Sequence, residues 1–140
     1  MAADVHLHIL EGVTEEEVKL FLSNRLGSKY YDESKYQEHE KKYDELVEKM
    51  ANTPQVWVGE VSWLKAWLTG DKEAFVPSAV EKVTEVIGED FPVIDDELIR
   101  KVEEAMKLGS GKSEYEVNDP EEVVNFLKEH KGKKVFWITW

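Results

Sequence analysis

The pattern with the widest chemical reach is His6-x-His8, close to the start of the chain. Two residues apart on a strand, both imidazoles point to one face. Imidazole nitrogen is a ligand for zinc, iron or nickel. A carboxylate such as Glu60 or Asp95 would supply a further ligand, and His6, His8 and Glu60 together would give a small metal-assisted hydrolase. The plainer reading of the same pair is structural: two imidazoles packed and hydrogen-bonded within a strand. His39 has a near-neutral reference pKa, but it shares a helix stripe with tyrosines and reads as a packed side chain. His130 falls in the last turn of a helix, where positive charge complements the dipole. Runs of carboxylates occur at Glu15-Glu16-Glu17, Asp95-Asp96-Glu97 and Glu121-Glu122. Each begins a helix, where negative charge is favoured, so none needs an acid–base role.

Other catalytic signatures do not appear. There is no G-x-S-x-G elbow, and Ser62 reads as a helix cap. Gly109-Ser110-Gly111-Lys112 lacks the spacing of a phosphate loop and follows a helix rather than a strand. With no cysteine, thiol nucleophiles and cysteine-based zinc sites are excluded. No cofactor is expected.

Tryptophan is the other conspicuous residue, with five in 140. Trp57, Trp63 and Trp67 lie close together in sequence, and Trp63 and Trp67 share one side of a short helix. Core packing is the default for such residues. Tryptophan also anchors protein interfaces, so these three are the candidates for binding a partner.

The elements that must position these residues follow from periodicity. Residues 5–10 alternate as a strand. Thr14 with Glu17 forms a capping box that opens a helix, with Val18, Phe21, Leu22 and Leu26 inward and Gly27 as its end. A longer helix covers residues 33–50, with Tyr36, Tyr43, Leu46, Val47 and Met50 on one face. Asn52-Thr53-Pro54 breaks it. A second strand covers residues 55–61, in which Gly59 marks a bulge or a close backbone approach. A short helix at 63–68 and a loop at 72–77 follow. Further helices begin at Ser78 and about Asp95 and end at Gly88 and Gly109. Residues 110–117 form a glycine-bearing loop. The last helix is capped by Asn118 or Asp119 with Pro120 at its start. Residues 134–140 form a final strand apolar enough to be covered on both faces.

This order predicts an α+β fold in one domain over residues 1–140. Both chain ends and the Val56 strand make a small three-stranded sheet, packed by five to six helices. The length and the 41% hydrophobic content support a core. A net charge of -12, spread over both halves, leaves no basic patch for a phosphate backbone and disfavours anionic membrane surfaces. Among 18 basic residues only Arg25 and Arg100 are arginine, so bidentate anion clamps are scarce. No secretory leader or membrane-length apolar run is visible, and absent cysteine fits a cytoplasmic setting. The favoured reading is a non-enzymatic interaction protein, an inhibitor or adaptor, whose acidity steers it toward a basic protein partner. The hydrolase is one alternative. The other is an acidic mimic of nucleic acid that occupies a DNA-binding partner, which requires carboxylates in one elongated stripe.

Overall fold

The structure is a computed structural model. It describes residues 2–24, 29–32, 34, 40–62, 79–109 and 117–140, with backbone alone at residues 2, 3, 40, 41, 61, 62 and 109. Three strands and five helices lie among them: β1 (Ala2–Ile9), α1 (Glu15–Leu22), α2 (Glu40–Ala51), β2 (Gln55–Ser62), α3 (Ala79–Ile87), α4 (Asp96–Gly109), α5 (Pro120–Glu129) and β3 (Val135–Thr139). The fold is α+β. The sheet is antiparallel with order β2-β1-β3, so the N-terminal strand is central and pairs with the C-terminal one from Val5↔Thr139 to Ile9↔Val135.

Period-two alternation divides the strands between two cores. Val5, Leu7 and Ile9 join Val56, Val58 and Val135 against Val80 and Val83 of α3, Val102 and Met106 of α4, and Val123 and Leu127 of α5. On the opposite face Phe136 and Ile138 pack with Val18 and Phe21 of α1 and Leu46 and Met50 of α2. The sheet is therefore sandwiched between helices, and β3 has the two-sided cover that its apolar density demands.

Most caps lie where the sequence places them. Thr14 and Glu17 form the reciprocal capping box of α1. Asp95 Oδ1 accepts the Leu98 N–H at 2.7 Å ahead of α4. Asp119 caps α5 with Pro120 in the first turn. The end of α1 differs from expectation: the helix stops at Leu22, before Gly27. The Ser23 hydroxyl and the Asn24 amide both donate to the Leu20 carbonyl, saturating the last-turn acceptor without a glycine. Of the expected elements, the short helix at 63–68, the loops at 72–77 and 110–116, and residues 33 and 35–39 of the 33–50 helix, His39 among them, lie outside the described residues.

Two irregularities shape the sheet. Val5 faces Gly59 while His6 faces Trp57, so Val58 is the extra residue of a bulge at the expected glycine. The segment 91–94 runs beside the outer edge of β3. There Val135 N–H donates to the Pro92 carbonyl and Ile94 N–H to the Lys133 carbonyl. Phe91 adopts φ 53°, a conformation costing a bulky residue about 1–2 kcal/mol. Its ring is buried in the α1–α2 core, whereas Ile94 is buried in the other. Anchoring on opposite faces of the sheet within four residues holds the strained turn in place.

Candidate functional site

The residues singled out by type converge on one face of β1. Asp4, His6 and His8 share that face by alternation. Directly opposed residues of an antiparallel pair project to the same side, so Trp57 joins His6 and Glu60 joins Asp4. Three residues apart on a regular strand, Trp57 and Glu60 would point to opposite faces. The extra residue at Val58 restores them to one face. Asp4 was not legible as a site residue from its type, although extending the His6-x-His8 alternation by one step reaches it.

The two histidines differ sharply. His8 is wholly buried. Its ring stacks on Phe136, with centroids 5.3 Å apart. The Trp140 indole N–H, which can only donate, meets His8 Nε2 at 3.3 Å. The proton therefore sits on Nδ1, which donates to Thr53 Oγ1 at 2.7 Å, and the Thr53 hydroxyl donates onward to the Met50 carbonyl. Burial above all, then the neighbouring His6, pushes the His8 imidazole down from 6.5 to about 3. It is a neutral ring with both nitrogens engaged and no lone pair left for an ion. His6 is half-buried, its Nδ1 enclosed without a hydrogen-bond partner. The two rings lie 6.2 Å apart.

Glu60 lies on the His6 face, but Asp95 is committed to capping α4. Among the described residues, no three His, Asp or Glu side chains are grouped to hold a metal ion. Trp57 is half-buried, and its indole N–H donates to Asp4 Oδ1 at 3.1 Å. Asp4 is exposed. Trp63 and Trp67 lie outside the described residues.

A second acidic feature flanks the far end of β1. Glu11, Gly12, Glu45, Glu48, Lys49 and Asn52 line an open cleft of about 420 Å³. Lys49 is turned to Glu17, and Glu11 to Lys133. Elsewhere carboxylates alternate with cations, as in Arg100–Glu104, Lys107–Glu103 and Lys134–Glu15.

Comparison with protein families, with curated proteins and with solved structures found no match to this chain.

Proposed function

We propose that the protein is a non-enzymatic interaction module, an adaptor or inhibitor, that takes a basic protein partner on the sheet face around Asp4, Trp57 and Glu60. The observation that carries this reading is the register Asp4↔Glu60. Like charges directly opposed across an antiparallel pair are destabilising. Among the described residues no cation forms an ion pair with either carboxylate. A positive group supplied from outside would relieve that repulsion. Trp57 beside them adds an aromatic anchor of the kind that concentrates binding energy. The net charge of -12 would draw a basic partner in at long range. A cysteine-free chain suits such a role in the reducing cytoplasm.

The test is a titration of isotope-labelled protein with an alternating lysine–glycine octapeptide. Saturable shifts centred on Asp4, Trp57 and Glu60, weakened by added salt and by Glu60→Gln, support the reading. Shifts spread evenly over the acidic surface, or centred on Glu45 and Glu48, would overturn it.

A further inference from the structure

The charge recognised between Asp4 and Glu60 can be narrowed further, on the basis of the interaction reading above. We infer that it is the guanidinium of an arginine, stacked against Trp57 with its N–H groups directed to the two carboxylates. Three features of the site select it. The Trp57 indole is fixed by its edge, because its N–H is spent on Asp4 Oδ1. A ring held in this way offers a preorganised surface, and a planar guanidinium stacks on indole where a compact, strongly hydrated ammonium gains less. Among the described residues the Trp57 indole is also the sole hydrogen-bond donor to the Asp4 carboxylate, so Oδ2 remains an acceptor.

The register also sets Asp4 and Glu60 directly across from each other. Opposed residues hold their Cβ atoms about 5 Å apart. The five N–H donors of a guanidinium can serve both acids from one plane, whereas an ammonium acts as a point charge. On the other side of Trp57 stands His6, its cross-strand partner. The chain's own Arg100 does not compete, being paired with Glu104 on α4.

The discriminating experiment compares two octapeptides of equal charge, one alternating arginine with glycine and the other lysine with glycine, titrated into the intact chain. The arginine peptide is expected to bind about 2–5-fold tighter, the increment of one stacked cation. It should also move the Trp57 indole N–H resonance. Trp57→Leu should equalise the two peptides while both still bind by charge. Asp4→Asn, at an exposed position, tests the same point without touching the ring: its amide oxygen can still accept from the indole, but the charge and the free carboxylate oxygen are lost, so the arginine preference should shrink. Equal affinities for the wild-type protein, or a preference that survives both substitutions, would refute arginine recognition and leave the basic-partner reading standing. If neither peptide reports at Asp4, Trp57 and Glu60, both are lost.

Discussion

Acid should attack this fold through His8. The imidazole is wholly buried, donates from Nδ1 to Thr53 and accepts at Nε2 from Trp140. Protonation would turn Nε2 into a donor facing an indole N–H that can only donate, and would place a charge between Phe136 and Trp140. The native pKa of about 3 lies below the unfolded value of 6.5. The unfolded chain therefore binds the proton first. The contribution to stability is complete above 6.5 and is lost as pH falls toward 3. Each unit is worth about 1.4 kcal/mol, so at about pH 5 roughly 2 kcal/mol has gone, and the full loss approaches about 5 kcal/mol. Glu81 titrates in an overlapping range with the opposite sign, so the wild-type profile alone does not isolate His8. The assay is urea denaturation of wild type and His8→Gln at about pH 7.5 and pH 5, where the variant should lose about 2 kcal/mol less. Imidazole resonances of folded wild type should show a neutral Nδ1–H ring throughout that interval. A His8 midpoint near 6.5 in the folded protein, or the same acid loss in His8→Gln, would refute the reasoning.

Thr53→Val removes the acceptor of the His8 Nδ1–H and should cost about 1–3 kcal/mol in urea, while Thr53→Ser recovers most of it. Glu81 is held up at about 7 by burial and then by Glu85, so its ionisation opposes folding as pH rises from 4.5 through 7. Glu81→Gln should therefore stabilise the protein by about 1 kcal/mol near pH 8, a figure discounted for partial exposure, with little effect near pH 5; equal effects at both would count against this. Thr14→Ala deletes the side-chain half of the capping box, leaving the backbone N–H of residue 14 to Glu17, and should lower thermal stability by about 1 kcal/mol, read as a fall in Tm.

What was legible in the sequence was local. The caps at Thr14 and Asp119 depend on side chains within three residues of the backbone they serve, and both are present. The alternation in β1 and the apolar run of β3 depend on a period of two, which a string of residues displays directly. From these the α+β class and the pairing of the chain ends follow. The end of α1 was misplaced because glycine is the strongest stop signal in sequence, while Ser23 and Asn24 achieve the same termination by bonding back to Leu20.

The neighbours that decide chemistry lie far apart along the chain. His8 is a candidate ligand by type and spacing. Thr53 and Trp140, distant in sequence by 45 and 132 residues, make it a buried neutral ring. Glu60 stands three residues from Trp57 and would belong to another face but for one extra residue at Val58. Asp4 acquires its meaning only from register, which sets a second carboxylate directly across from it. Composition and periodicity fix which elements form because those depend on near neighbours. Burial, tautomer and the pairing of charges depend on which strands meet and in what register, and only the folded chain settles that.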